Sequence, residues 1–128
     1  VHDRDSHDDV LRILDDEGHP DVVVLHCFSG DADFARAASE RGWYLSFSGV
    51  LTFKNAAELR EAAAVVPEER LLVETDAPFL TPAPFRGKPN APYLVPLTVR
   101  GLAEVRDLDV AQLCRTLYAN STRAFGPL

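Results

Sequence analysis

Two short apolar runs in this chain end abruptly in ionisable side chains, and no other feature constrains the fold as strongly. Residues 22–25, VVVL, give way to His26, Cys27 and a glycine turn at Gly30; residues 71–73, LLV, give way to Glu74 and Asp76. A run that is apolar at every position marks a strand covered on both faces, as in a parallel sheet. Such strands need crossovers, and the segments between them supply helices. Ser6, three residues before Asp9, is a helix-start signal, and Val10, Leu11, Ile13 and Leu14 form an apolar stripe that Gly18 closes. Residues 31–41 carry Phe34, Ala35, Ala37 and Ala38 at helical spacing, residues 55–64 are alanine-rich, and residues 94–105 and 110–118 are also periodic. The first run predicts a strand over residues 21–28, and the aromatic stretch WYLSFSG at 43–49 predicts another. Strands alternating with helices predict an α/β fold of right-handed βαβ units around a parallel sheet.

Composition sets the scale. With 128 residues, 46% hydrophobic and 26% charged, the chain fits one domain, residues 1–128. No apolar run approaches the ~20 residues that cross a bilayer, and no basic segment precedes an apolar one as in a signal peptide. A cytoplasmic protein with no membrane partner is expected. Cys27 and Cys114 lie far apart in apolar segments, which fits two small buried side chains in a reducing compartment better than a disulfide. The net charge of −7 argues against general affinity for polyanions, so any phosphate must be attracted locally. The chain opens on Val1 rather than methionine, inside the dense polar cluster VHDRDSHDD, which suggests that further sequence precedes it.

The ionisable residues fall where strands end. Alternate side chains of a strand share a face, so Val24 and His26 point one way, as do Leu72, Glu74 and Asp76. In parallel α/β barrels the C-terminal strand ends hold the active site. A lone histidine after an apolar strand is more often a hydrogen-bonded structural residue than a ligand. Two carboxylates at the mouth of a buried strand are costly unless a metal or cation compensates them, although Asp76 is also a plausible cap. His2 precedes a capped helix as though it ended a strand of its own. Two imidazoles and a carboxylate on adjacent strand ends suit a divalent metal, Mg²⁺, Mn²⁺ or Zn²⁺. His7 and His19 fall on or beside an exposed helix and are expected in solvent. Residues 77–92 contain five of the chain's nine prolines, a stiff extended loop that carries Arg86 and Lys88. By themselves these two cations are a solvated turn; beside a metal they can hold a phosphodiester.

The segments HCFSG, ETDAPFLTPAPFRGKPNAPY and NSTRAF, with VHDRDSHDDVLRIL before them, resemble in order the TatD family of metal-dependent deoxyribonucleases. The resemblance implies a TIM-barrel hydrolase whose mouth binds one or two divalent metals and which trims DNA from 3′ ends. It implies His2, His26 and Asp76 as metal ligands and Asp76 or Glu74 as general base, with no choice between the two. Arg4, Ser29, Arg86 and Lys88 are then expected near substrate phosphates, Gly30 is expected to allow a tight turn, and Cys27 to point away from the metal. A TIM barrel takes about 250 residues and eight strands, whereas about four strands are expected here, the C-terminal half. The family's N-terminal HxH motif and mid-chain glutamate have no counterpart in these residues, and Ala91 stands where the family usually has an acidic residue. The expected partners are therefore DNA, single-stranded or at 3′ ends, and either a second copy or a missing N-terminal half. The alternatives are another amidohydrolase-like metal hydrolase, or an inactive half-barrel that assembles with another chain.

Overall fold

The computed structural model describes residues 1–127. Three parallel strands form its centre: β1 (Val24–Leu25), β2 (Tyr44–Phe47) and β3 (Leu71–Val73), in the order β1-β2-β3. Val24 lies opposite Tyr44, and Leu45 opposite both Leu25 and Leu71. A parallel bridge between His2 and His26 adds the N-terminal segment beside β1. It is held by the Val1 ammonium donating to the Val24 carbonyl at 2.8 Å and by His26 N–H donating to the Val1 carbonyl at 3.0 Å.

The strands are joined by helices α1 (His7–Glu17), α2 (Ala32–Glu40) and α3 (Ala57–Val65), and α4 (Val95–Arg106) and α5 (Val110–Phe125) follow β3. Strand alternation gives the sheet two distinct faces. Leu25, Leu45, Phe47 and Leu71 point to the helices and are fully buried with Ala35, Ala62 and Leu102 in one continuous core. The opposite face carries Val24, Tyr44, Ser46 and Leu72 and runs into the ionisable residues at the strand ends. Asp31 starts α2 by accepting the Phe34 N–H at 2.8 Å, and Asp109 starts α5 by accepting the Gln112 N–H at 2.9 Å.

Several expectations need correction. The strand expected over residues 21–28 is regular only at β1, because Val22 is exposed and the chain enters the left-handed region at Cys27, φ +48°. Ser6 does not cap α1 through its side chain; its hydroxyl donates to Asp3 Oδ1 at 2.8 Å. Ile13 is exposed, since helical geometry turns it away from the face where Val10, Leu11 and Leu14 meet the core. Helix α5 runs seven residues beyond the expected end at residue 118, to Phe125. Cys114 lies on its exposed side, and neither cysteine is in a disulfide. The proline-rich segment forms turns and a short 3₁₀ helix at Pro92–Leu94. Among the described residues, no helix is long and apolar enough to cross a membrane.

Candidate metal centre

Beyond the carboxyl ends of β1 and β3 the backbone bends sharply, and both bends are left-handed at residues other than glycine: Cys27 at φ +48° and Asp76 at φ +57°. Such conformations cost an L-residue about 1–2 kcal/mol and are concentrated at functional sites. Here they gather side chains that strand geometry alone would leave spread along an edge. His26, Glu74 and Asp76, all half-buried, bring ligand atoms within 4.8 Å of one another.

Within this cluster the roles separate. Glu74 Oε1 lies 2.7 Å from His26 Nδ1, and its Oε2 accepts the Cys27 backbone N–H at 3.0 Å. Both oxygens are thus engaged in orienting the segment that carries His26. With Nδ1 facing a carboxylate, the imidazole presents Nε2 outward, an arrangement typical of metal-binding histidines. Among the described residues, the Asp76 carboxylate makes no side-chain hydrogen bond, so both of its oxygens remain available. An imidazole nitrogen with carboxylate oxygens is a donor set that fits Zn²⁺ or Mn²⁺ well and Mg²⁺ through its oxygens.

His26 and Asp76 open onto a concavity of about 700 Å³ that is also lined by His2, Arg4, Ser29 and Phe79. The His2 ring centroid is 5.7 Å from that of His26. His2 therefore faces the same space as His26 from its rim, while Glu74 supports His26 from behind. Cys27 also lines this concavity, with its Sγ 3.4 Å from Ser48 Oγ. Burial pushes the Cys27 thiol pKa up and outweighs the Ser48 hydrogen bond; the charges of Glu74 and Asp76 raise it further.

Arg86 and Lys88 are not part of this space. The Arg86 guanidinium instead stacks 3.5 Å from the centroid of the Phe53 ring, in a separate groove, and Lys88 is exposed on the turn beyond. Gly30 does not have a positive φ; its requirement is space, because a Cβ there would meet Phe34 Cδ1 at 2.3 Å and Phe28 Cζ at 2.9 Å. His7 is half-buried rather than in solvent: it stacks on Phe34, with ring centroids 4.5 Å apart, and contacts Asp3 Oδ2 through Nδ1. Burial pushes Asp3 up, but the His7 and Ser6 hydrogen bonds outweigh it and hold the carboxyl below the usual range.

Sequence reasoning missed Asn90. It is buried at 6% exposure, and its side-chain amide donates to the Thr75 carbonyl at 2.8 Å and the Phe79 carbonyl at 2.7 Å. It thereby fixes both flanks of Asp76. An asparagine among prolines and glycines looks like any turn residue, so no sequence signal singled it out.

Comparison with known proteins agrees with this geometry. A family model described as TatD related DNase matches residues 1–126. The chain is 50% identical over 126 residues to an uncharacterized metal-dependent hydrolase, TatD, of Mycobacterium tuberculosis, covering 98% of this chain and 48% of that protein. It is 42% identical to the uncharacterized metal-dependent hydrolase YabD of Bacillus subtilis, covering 98% and 49%. Among solved structures, the TatD homolog YJJV of Escherichia coli superposes with a TM-score of 0.92 at 29% identity, over 99% of this chain and 49% of that one. The chain spans about half the length of the curated relatives it matches. It belongs to the TatD family, and its parallel sheet with flanking helices corresponds to part of a TIM-barrel hydrolase fold.

Proposed function

We propose that this TatD-family chain provides part of the active site of a divalent-metal-dependent phosphodiesterase that removes nucleotides from the 3′ ends of DNA. The observation that carries the reading is the convergence of His26 and Asp76 on one concavity, with Glu74 bonded behind His26 and Arg4 on the wall. His26 Nε2, Asp76 and, from the rim, His2 would hold the cation. A bound divalent cation supplies Lewis acidity to a phosphoryl oxygen and lowers the pKa of a coordinated water.

The protein's own residues do the rest. Glu74 fixes the His26 tautomer by accepting from Nδ1–H. Asp76 has two oxygens without competing partners, so one is free to take the proton of the attacking water; Glu74, with both oxygens bonded, is the poorer base. Arg4 offers a fork of donors to the phosphate as negative charge builds on it. Ser29 offers a hydroxyl to the same group. The further donors of a complete centre come from outside these residues, either from the remaining length that the relatives possess or from a second chain.

The test is release of nucleotides from a 3′-labelled single-stranded DNA with Mg²⁺ or Mn²⁺, with EDTA and Asp76→Ala as controls. Hydrolysis that requires metal and falls at least 100-fold in Asp76→Ala is expected, as for loss of a metal-ligating base. Undiminished cleavage by the variant would sink the mechanism. Hydrolysis of simple carboxylic esters or lactones with no action on DNA would replace it with an amidohydrolase-like reaction.

A further inference from the structure

The metal-centre concavity does not end at the metal ligands. It shares Cys27, Ser29 and Val50 with a second concavity of about 230 Å³, whose walls include the apolar side chains of Phe28, Val50 and Leu59. This second space shares Phe53 and Asn55 with a third, of about 580 Å³, which carries Lys54 and Arg86 and no carboxylate. Three adjoining concavities therefore lead from the metal centre, past an apolar stretch with Glu58 on its edge, to a cationic one. In a chain of net charge −7, Lys54 and Arg86 line this third concavity with no carboxylate among its walls, which favours an anionic ligand there.

The far end is also rigid. Arg60 clamps one wall by donating from Nη1 to the Phe53 carbonyl at 2.7 Å and the Leu51 carbonyl at 3.2 Å. Across the groove, Ala83 N–H donates to Thr52 Oγ1 at 2.8 Å, and that hydroxyl donates to the Gly49 carbonyl at 2.7 Å. This fixes the proline-rich loop to the segment before α3. Arg86 is held over the Phe53 ring at 3.5 Å, which reduces the rotamer freedom it would lose on meeting a ligand.

We propose that Lys54 and Arg86 form a distal subsite for a second phosphate of a single-stranded DNA whose scissile bond lies at the metal centre, with a base or sugar lodged against Phe28, Val50 and Leu59 between them. This rests on the phosphodiesterase reading above and makes it specific: the substrate is a polynucleotide strand rather than a small diester, since the second phosphate belongs to the same strand as the scissile bond.

Binding of labelled oligothymidylates of two and eight nucleotides, followed by fluorescence anisotropy in EDTA so that nothing is cleaved, tests the subsite. The eight-mer is expected to bind more tightly than the two-mer. Lys54→Ala/Arg86→Ala is expected to weaken the eight-mer about tenfold or more, as for removal of a charge-assisted hydrogen bond to phosphate. The slope of log affinity against log salt should become shallower by roughly 0.7 for each phosphate that the variant no longer neutralises. Both side chains are exposed, and an unchanged circular dichroism spectrum verifies that the variant is folded. Equal affinity for the two lengths in the wild type, or an unaltered eight-mer affinity and salt slope in the variant, overturns the subsite. Length-dependent binding that needs Lys54 and Arg86 but leads to no hydrolysis with Mg²⁺ keeps the subsite and removes the nuclease reading. Hydrolysis with no effect of the double substitution removes the subsite alone.

Discussion

Glu74 illustrates what one residue owes to its neighbours. Strand alternation placed it on the same face as Asp76, so its place beside Asp76 at the strand mouth was legible, but its bonding to His26 and Cys27 was not. That bonding depends on the left-handed turn at Cys27, which brings a backbone N–H onto Oε2 while His26 Nδ1 takes Oε1. Glu74→Gln puts an NH2 where one carboxylate oxygen stood, so it either loses the Cys27 N–H contact or favours the His26 tautomer that carries its proton on Nε2 and cannot ligate a metal there. Metal affinity is expected to fall about 10–100-fold, the usual cost of losing a partner behind a ligand; titration calorimetry with Mn²⁺ reads it, and unchanged affinity would refute the orienting role. Gly49 shows a residue fixed by space alone. A Cβ there would lie 2.2 Å from the Leu80 carbonyl oxygen and 2.9 Å from Pro82 N, both backbone atoms that cannot rotate away. Gly49→Ala is expected to destabilise the fold by about 1–3 kcal/mol, as overpacking does, with a lower melting temperature as the readout. Nothing in the string SFSGV announces this requirement, because the obstructing loop lies some thirty residues further along the chain.

At the scale of elements, the order of strands and helices was readable from apolar runs and helical periodicity, and their ends were not. Helix α5 passes its expected end because Asn120, a residue that usually weakens a helix, is fully buried. Its side-chain amide donates to the carbonyls of Glu68 at 2.7 Å and Leu71 at 2.8 Å. A tertiary contact thus overrides local propensity. Asn120→Ala takes the side-chain donor from the Leu71 carbonyl at the start of β3 and leaves the Glu68 carbonyl with only the Leu71 N–H, and it is expected to cost about 1–3 kcal/mol. The urea midpoint measures this, followed by fluorescence of Trp43, the chain's only tryptophan, which is 1% exposed and should report the loss of its buried environment. Helices α1 and α2 are joined differently, by Arg41 donating from Nε and Nη2 to Asp15 at 2.8 and 2.5 Å. The hydrogen bond from Arg41 holds the Asp15 carboxyl below its usual pKa, against a smaller opposing effect of burial. A depressed folded-state pKa means stability that is present above the ordinary carboxylate pKa and lost as pH falls through the lowered one. The melting temperature of Asp15→Asn should therefore lie slightly below wild type at pH 7, and the gap should close under acid conditions. A gap that persisted below pH 2 would assign the effect to something other than this charge.

At the scale of the whole molecule, the strand-end chemistry and the ordered motifs made the family legible, and the same comparison explains an edge in the sheet. Strand β3 is the last in the order β1-β2-β3 and carries Leu71, Leu72 and Val73. Glu74 N–H donates to the Phe47 carbonyl of β2, so by parallel-strand alternation the Val73 N–H points to the other side, where no further strand lies among the described residues. On that side Leu71 is already engaged, its carbonyl by the Asn120 amide and its N–H by the Glu68 carbonyl, so Val73 carries the open part of the edge, and an apolar edge with an unpaired backbone group can seed pairing with another strand. The relatives, about twice this length, have additional chain with which to cover such an edge. For the 128 residues by themselves, sedimentation equilibrium is expected to show mass rising with concentration as copies associate through β3. Val73→Pro removes only the outward-facing N–H and leaves the ladder to β2 intact, at the one kind of strand position that tolerates proline. It should shift the chain toward monomer without loss of helical circular dichroism. A chain that remains monomeric at every concentration would mean that the strand's short length and the adjacent Glu74 protect the edge sufficiently, whereas association that survives Val73→Pro would place the contact on another surface.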